Sequence, residues 1–268
     1  MAEAGLSENT RFCFFYLKLY LRKNTMSGKY SKKYLIRTYE CDKNSDLRLV
    51  TLMNIFQDMA DSQATLLGLG LEFCLHNGMA WVGSNYHLQI TRMPKLHEEV
   101  TVTTWPAVEK KLGAIRDFLV TDSSGNDIIR ASSQWILIDV SKKRPISLHD
   151  NLPQYRVVED RVMPEDFNSR LNDITKEDYR LSFNVRFDDI DINHHVNNAI
   201  YPLWASEAVP TDFRQNKHIA ELEIAFKKEG LYGEKVDVIT QIDGNETLHR
   251  ILAASDGREL SRVRIFWK

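Results

Sequence analysis

The chain has 268 residues, and this length alone does not separate one large domain from two smaller ones. Its apolar fraction of 43% and charged fraction of 27% are typical of a folded globular protein, which excludes disordered and fibrous classes. The formal net charge of −2 argues against a protein held to nucleic acid by a global basic field. Any acidic partner would have to be bound by a local basic patch.

The cysteines indicate a reducing environment. Cys13, Cys41 and Cys74 are an odd number at unrelated spacings, and the sequence has no Cys-x-x-Cys pair. This pattern favours free thiols over a disulfide framework or a zinc knuckle. We therefore expect a cytoplasmic protein.

The N-terminal region contains an apolar run at residues 12–21 that is interrupted by Lys18. A membrane-spanning helix needs about 20 apolar residues, so this run is too short to cross a membrane. No small-residue cleavage site of a signal peptide follows it. Met26 then begins a new, basic stretch. We expect residues 1–25 to be a disordered or non-native extension outside the folded unit, and we expect no membrane partner.

The first half of the chain predicts one strand, one long helix and then a series of antiparallel strands. Residues 34–40 alternate like a strand, and residues 49–67 have the apolar spacing of an amphipathic helix that Gly68 and Gly70 end. Strand-like runs follow at residues 80–91, 100–107, 115–121 and 128–139, the last two joined by a hairpin signal at 122–126. This order describes a curved sheet wrapped around a helix.

The second half repeats the same order of elements. Residues 180–187 predict a strand, 199–209 a shorter helix, and 220–228, 235–242, 248–255 and 259–267 further strands. One strand set with one helix cannot bury its apolar face alone, so the two halves should pack together. The charged segment between them contains Pro145, Pro153 and Pro164. We predict an N-terminal domain at 26–140, a linker at 141–178 and a C-terminal domain at 179–268.

The densest polar cluster of the sequence lies at residues 188–198, between the predicted strand and the second helix. In an extended segment, alternate side chains project to the same side. Four polar residues of the cluster would then share one side, namely Asp191, Asn193, His195 and Asn197. Ile192, His194 and Val196 would lie on the opposite side.

These residue types suit the hydrolysis of a thioester. A water that attacks the carbonyl needs a base to take its proton, and the developing oxyanion needs a donor that an Asn amide can supply. An alternative is that Asn197 or Asn198 simply caps the following helix. A metal site is a further alternative, but His194 and His195 would point apart and no other His or Cys cluster completes a coordination shell.

Here the sequence resembles the acyl-acyl-carrier-protein thioesterases of plants and bacteria. The segment DIDINHHVNNAIYPLW at 189–204 is similar to the family pattern D-x-D-x-N-x-H-V-N-N-x-x-Y-x-x-W. Looser similarities occur at Trp81-Val82, Thr104-Trp105, Arg116-Asp117-Phe118 and residues 130–135. The resemblance covers roughly residues 32–268.

The resemblance implies an α+β double hotdog fold, in which each of two tandem domains has a long helix wrapped by an antiparallel sheet. It places the catalytic residues in the second hotdog and the acyl pocket largely in the first. The family's catalytic Asp, Asn and His correspond to Asp191, Asn193 and His195, and its downstream Glu corresponds to Glu229. Plant members often have Cys after that Glu, where this chain has Gly230.

The implied activity is hydrolysis of a fatty acyl thioester of an acyl carrier protein, which releases the free fatty acid. In this hypothesis Glu229 orients or deprotonates the water with His195 as its partner, and Asn193 donates to the thioester oxygen. Asp191 either positions these groups or attacks directly. Asn197 is a candidate substrate contact, and Met53, Phe56 and Met59 are candidate walls of the acyl pocket, although plain core is the better interpretation of their residue types.

The implied partner is an acidic acyl carrier protein, which Lys227-Lys228 or Lys142-Lys143-Arg144 could contact. The alternatives are a non-catalytic acyl-thioester binding protein and another hotdog enzyme, such as an acyl-CoA thioesterase or a dehydratase. The absence of a Gly-rich phosphate loop predicts no organic cofactor. The sequence leaves open whether the protein is a monomer or a homodimer.

Overall fold

The computed structural model describes residues 28–152, 155–163 and 171–268. The predicted extension at residues 1–25, together with Cys13, lies outside the described residues. Cys41 and Cys74 are both buried free thiols. Within the described residues, no helix is long and apolar enough to span a membrane.

The first half builds one long helix and a run of strands. Strand β1 is Tyr30–Leu35, and a 3-10 turn at Thr38–Glu40 leads to helix α1 at Leu49–Leu66. The short helix α2, Leu71–His76, precedes strands β2 at Met79–Ile90 and β3 at Glu99–Lys110. Strands β4 at Gly113–Thr121 and β5 at Asp127–Asp139 follow. The two-residue strand β6, Arg144–Pro145, and the short helix α3, Leu148–Asn151, begin the connection to the second half.

The second half repeats this order of elements. Strand β7 is Tyr179–Asn184, a 3-10 turn follows at Phe187–Asp189, and helix α4 is Ile200–Glu207. After the short helix α5, Thr211–Asn216, come strands β8 at Ile219–Phe226 and β9 at Lys235–Asp243. Strands β10 at Glu246–Ala253 and β11 at Glu259–Trp267 complete the chain.

The strands form one continuous sheet across both halves. Its order is β1-β3-β4-β5-β2-β8-β11-β10-β9-β7, with β6 paired at the side of β5. The two halves meet where β2 and β8 pair antiparallel, with Leu88 opposite Leu222. The strand order on one side of this seam is therefore the mirror of the order on the other.

Helix α1 covers the sheet of the first half with an apolar face. Its buried positions recur with the spacing of one helix face, and they include Met53, Phe56 and Met59, each 0% exposed. Phe56 stacks on Phe118 of β4 with 4.6 Å between ring centroids. These three residues lie in a core cluster that also contains the buried residues of α4, such as Tyr201 and Trp204. Their proposed role in an acyl pocket stays a prediction.

The structure corrects several element boundaries. The first strand ends at Leu35 and not at residue 40, because the backbone N–H of Arg37 donates to Glu40 Oε2 at 2.7 Å and turns the chain. The strand predicted at 180–187 likewise ends at Asn184, with Arg186 N–H donating to Asp189 Oδ2 at 2.9 Å. The short helices α2 and α5 were not predicted, since six residues are too few to establish a helical period.

The connection between the halves is anchored to strand β4 by Asp117. This carboxylate is fully buried and accepts from Ser132 Oγ at 2.5 Å, Arg161 Nε at 3.1 Å and the Val162 backbone N–H at 3.0 Å. The neighbouring Arg116, 7% exposed, lies on the opposite side of the strand and contacts Gln63 of α1. Asp117 therefore fixes residues 161–162 against the sheet.

A chain of hydrogen bonds crosses the core of the second half through His249, which is 1% exposed. Thr240 Oγ1 donates to the carbonyl of Ala208 at 2.7 Å, so it must accept from His249 Nδ1 at 2.9 Å. On the other ring nitrogen, Trp267 Nε1 donates to Thr247 Oγ1 at 2.9 Å, and Thr247 donates to His249 Nε2 at 2.8 Å. Thr240 therefore places the ring proton on Nδ1, and burial lowers the pKa of His249, which keeps the ring neutral.

Candidate functional site

The polar cluster forms a tight loop between the 3-10 turn and α4. Ile190 and Val196 pair as an isolated antiparallel bridge, and the backbone N–H of Asp191 donates to the carbonyl of His195 at 2.9 Å. His194 has φ of 65°, a left-handed conformation that an extended segment does not contain. The segment is therefore not extended, and the shared side that an extended segment would give the four polar residues of the cluster does not apply.

Asp191 and Asn193 are joined inside this loop. Asp191 Oδ1 accepts the backbone N–H of Asn193 at 2.8 Å, which closes an Asx turn. The side-chain Nδ2 of Asn193 lies 3.4 Å from Asp191 Oδ2, a long contact. Asn193 is exposed, so its amide has a proton that can be donated to a bound molecule.

His195 contacts Glu229, the one predicted catalytic residue that lies far from the loop in sequence. Its Nε2 lies 3.2 Å from Glu229 Oε2, and the two side chains are 36% and 67% exposed. Glu229 follows the end of β8, so the hydrogen bonds of the sheet determine where it stands relative to the loop. The structure thus brings together a carboxylate–imidazole pair open to solvent, and such a pair can take a proton from a water molecule.

The backbone beside Glu229 is held by two hydrogen bonds. The N–H of Gly230 donates to Tyr201 Oη of α4 at 2.9 Å, and its carbonyl accepts from the Val196 N–H at 2.9 Å. A Cβ atom at Gly230 would lie 3.0 Å from Val196 Cγ2, so the close approach favours glycine. Burial raises the pKa of Tyr201 to about 12, and the hydroxyl stays protonated. Tyr201 is the tyrosine of the quoted motif, and its positioning role was not predicted.

Asn197 joins the loop to the helix of the first half. Its Oδ1 accepts the backbone N–H of Ala199 at 2.9 Å, which closes a turn before α4. The N-cap residue of α4 is Ala199 and no side chain caps it, so the helix-cap interpretation is wrong. Asn197 Nδ2 also donates to Asn54 Oδ1 of α1 at 3.2 Å, and Gln57 Nε2 lies 3.4 Å from Asn197 Oδ1. Sequence reasoning did not predict Asn54 and Gln57 as part of the site.

Strand β2 approaches the same loop. A Cβ atom at Gly83 would lie 3.2 Å from the Nδ2 of Asn198 and 3.6 Å from the ring of Trp135. The loop therefore packs between α1 and β2 of the first half. The candidate site is built by both halves of the chain, although its charged residues all come from the second.

The first half contains a structural copy of the loop. Cys41 and Leu47 form the equivalent bridge, Ser45 has φ of 62°, and Asp42 Oδ1 accepts the Asn44 N–H at 2.8 Å. In this copy Asp46 stands where the second half has His195, and its partner is Lys95 Nζ at 2.7 Å. The copy therefore keeps the turn but lacks the imidazole–carboxylate pair.

The remaining predicted contacts lie in different places. Lys227 forms an ion pair with Glu259 at 3.1 Å, and exposed Lys228 directly precedes Glu229. Lys142 instead pairs with Asp139 at the end of β5. Of the described residues, the side chains that lie close enough to hold a metal ion include neither His194 nor His195. They are His87, Glu221 and Glu223 at the β2–β8 seam, where Arg264 already contacts Glu223 at 2.6 Å.

Known proteins with similar sequences are acyl-carrier-protein thioesterases. A chloroplastic acyl-acyl-carrier-protein hydrolase of Cuphea viscosissima is 28% identical over 89% of this chain and 62% of that protein. A chloroplastic oleoyl-acyl carrier protein thioesterase of Coriandrum sativum is 26% identical over 89% of this chain and 70% of that protein. This chain therefore spans less than two thirds of the length of the Cuphea relative.

Solved structures with similar folds include acyl-ACP thioesterases. An acyl-ACP thioesterase from Bacteroides thetaiotaomicron matches with a TM-score of 0.81 and 23% identity, covering 90% of this chain and 98% of that one. The 12:0-ACP thioesterase from Umbellularia californica matches with a TM-score of 0.77 and 25% identity, covering 90% and 97%. The predicted α+β double hotdog fold is confirmed.

Two family models cover both halves of the chain. The acyl-ACP thioesterase N-terminal domain matches residues 27–155, and the acyl-ACP thioesterase C-terminal domain matches residues 172–268. Both halves therefore match one family in the order that the family requires. The chain belongs to the acyl-ACP thioesterase family.

Proposed function

We propose that this chain hydrolyses fatty acyl thioesters of an acyl carrier protein and releases the free fatty acid. The observation that carries the proposal is the contact between His195 Nε2 and Glu229 Oε2 beside the exposed amide of Asn193. Family membership and the names of the relatives support the same activity. The structural copy in the first half keeps the turn without this pair, so the fold alone does not require these residues.

The proposed mechanism begins with a water bound between the loop and Glu229. Glu229 takes a proton from this water. His195 positions the Glu229 carboxylate through the contact between Nε2 and Oε2. The hydroxyl oxygen attacks the thioester carbonyl, and Asn193 Nδ2 donates to the oxyanion of the tetrahedral intermediate. Collapse of the intermediate breaks the carbon–sulfur bond, and the thiol of the carrier leaves with a proton returned from the base.

Asp191 has the role of a positioning residue in this mechanism. Its Oδ1 is occupied by the Asn193 backbone N–H, and Asp42 makes the same 2.8 Å contact in the first half, where it has no imidazole–carboxylate pair beside it. This supports orientation of the Asn193 amide over direct attack on the substrate. Asn197 would act similarly by holding the loop against α1.

The proposal is tested by measuring release of free thiol from acyl-carrier-protein thioesters of different chain lengths. The parent should turn over at least one substrate, and His195→Ala should lower kcat by about 100-fold or more with folding intact. Tight binding without turnover would favour the alternative of a non-catalytic binding protein.

We propose a cytoplasmic location from the cysteine content alone, and the plant relatives named above are chloroplastic.

A further inference from the structure

Four exposed apolar side chains lie in the loop that contains Asp191, Asn193 and His195 or in the two segments that are hydrogen-bonded to it. Phe187 is 77% exposed and Tyr232 is 65% exposed, and their rings contact edge to face with 5.9 Å between centroids. Ile192, inside the loop, is 78% exposed, and Leu231 is 45% exposed. These four residues are called the mouth patch below. A contiguous exposed apolar patch commonly marks an interaction site.

The structural copy in the first half shows that the fold does not need three of these four apolar residues, while the fourth, Tyr232, has the apolar Leu96 as its counterpart. The same backbone hydrogen bond runs from Ile190 N–H to Phe187 O and from Cys41 N–H to Thr38 O, so Thr38 is the counterpart of Phe187. Matching loop and turn contacts identify the other two polar counterparts. Lys43 corresponds to Ile192, and Lys95 corresponds to Leu231. Polar residues therefore satisfy the same turns where no catalytic pair is present.

We infer that the mouth patch is the surface on which the acyl carrier protein docks, an inference that rests on the proposed function. A carrier whose thioester is held at Asn193 and Glu229 must stand within reach of this loop, and Ile192 lies directly between Asp191 and Asn193 in the chain. Lys228 is exposed immediately before Glu229, whereas Lys227 pairs with Glu259. The Lys228 cation suits an acidic partner with an apolar centre. Aromatic side chains at the centre of an interface commonly contribute most of its binding energy.

The test uses Phe187→Thr combined with Tyr232→Ser, which removes both rings of the contacting pair and leaves the catalytic loop unchanged. Neither substitution alters charge, so long-range attraction to the carrier stays the same. The matched control is Tyr39→Thr, because Tyr39 is 69% exposed on the equivalent turn of the first half. Circular dichroism and thermal unfolding check that all three proteins are folded.

Two measurements are made on each protein. The first is binding to a carrier protein whose acyl chain is attached through a hydrolysis-resistant amide, and titration calorimetry measures this binding. We expect the double variant to bind about tenfold more weakly or worse, while the control binds like the parent. The second is hydrolysis of an acyl-pantetheine thioester, which has no carrier domain, and here we expect kcat/KM of the double variant to stay within about threefold of the parent.

Several results would overturn the inference. Unchanged carrier binding, or equal weakening in Tyr39→Thr, would show that the mouth patch is not the docking surface. If the double variant lost as much kcat/KM on acyl-pantetheine as it lost in carrier binding, the mouth patch would instead bind the prosthetic arm or the acyl chain. Self-association of the parent, or binding to phospholipid vesicles, that the double variant loses would assign it to a second copy or a lipid surface. A parent that binds the carrier through the patch but hydrolyses nothing would refute the proposed function and leave the docking surface intact.

Discussion

The buried His249 makes the stability of this protein depend on pH in a calculable way. Complete burial lowers the pKa of His249 from 6.5 to about 3, because a charged imidazole there would lose its hydration. In the unfolded chain the same group takes up a proton near pH 6.5. Between these two values the unfolded state binds a proton that the folded state does not, so stability falls as the pH falls.

The expected magnitude follows from the difference between the two pKa values. At pH 5 the unfolded histidine is about 1.5 pH units below its pKa while the folded one is still neutral, which corresponds to about 2 kcal/mol. Urea unfolding of the parent at pH 7 and at pH 5 measures the total change. His249→Gln removes the titrating group but keeps an amide that can donate to Thr240 and accept from Thr247.

The parent should therefore lose about 2 kcal/mol more than His249→Gln between pH 7 and pH 5. The control is His149→Gln, since His149 is exposed on α3 and its replacement should leave the pH dependence unchanged. Equal losses in the parent and in His249→Gln would refute the reasoning, as would an NMR titration in which folded His249 protonates above pH 5.

Three further predictions concern single contacts. Asn54→Ala should lower kcat about three- to tenfold with little change in KM, and Asn54→Asp should restore it because Asp also accepts from Asn197; equal losses in both would exclude the positioning role. Asp117→Ala should lower the free energy of unfolding in urea by about 3–5 kcal/mol, because it leaves Arg161 without its buried partner; a loss under about 1 kcal/mol would contradict this. Asp191→Asn should keep kcat within about tenfold, since Asn retains the Oδ1 acceptor, whereas a nucleophilic Asp191 would lose nearly all activity.

The regular elements could be predicted because their signals are local. The apolar spacing of α1 and the alternation of β11 gave those elements within a residue or two of their observed ends. The repeated element order also predicted the duplication, and equivalent strands of the two halves follow the same order from the two edges of the sheet inward. The turns after β1 and β7 could not be predicted, because the apolar–polar alternation continues through them. They form because the carboxylates of Glu40 and Asp189 accept the backbone N–H three residues earlier in the chain.

The candidate site was only partly visible in the sequence. One motif contains Asp191, Asn193 and His195. The geometry of their loop depends on the left-handed backbone conformation of His194, which cannot be predicted from the residue type. Glu229 was selected only through the family resemblance, because strand β8 brings it to the loop from a distant part of the chain. Asn54 needs the packing of one half on the other, and no local pattern contains that information.

The central claim is that the loop of the second half, and not its copy in the first, positions the groups that hydrolyse the thioester. The most direct measurement compares kcat on an acyl-carrier-protein thioester for Asn193→Ala and for Asn44→Ala, its counterpart in the copy. We predict a loss of about 100-fold or more for Asn193→Ala, because the oxyanion loses its donor, and less than about threefold for Asn44→Ala. Equal losses in the two variants, or the larger loss in Asn44→Ala, would contradict the account.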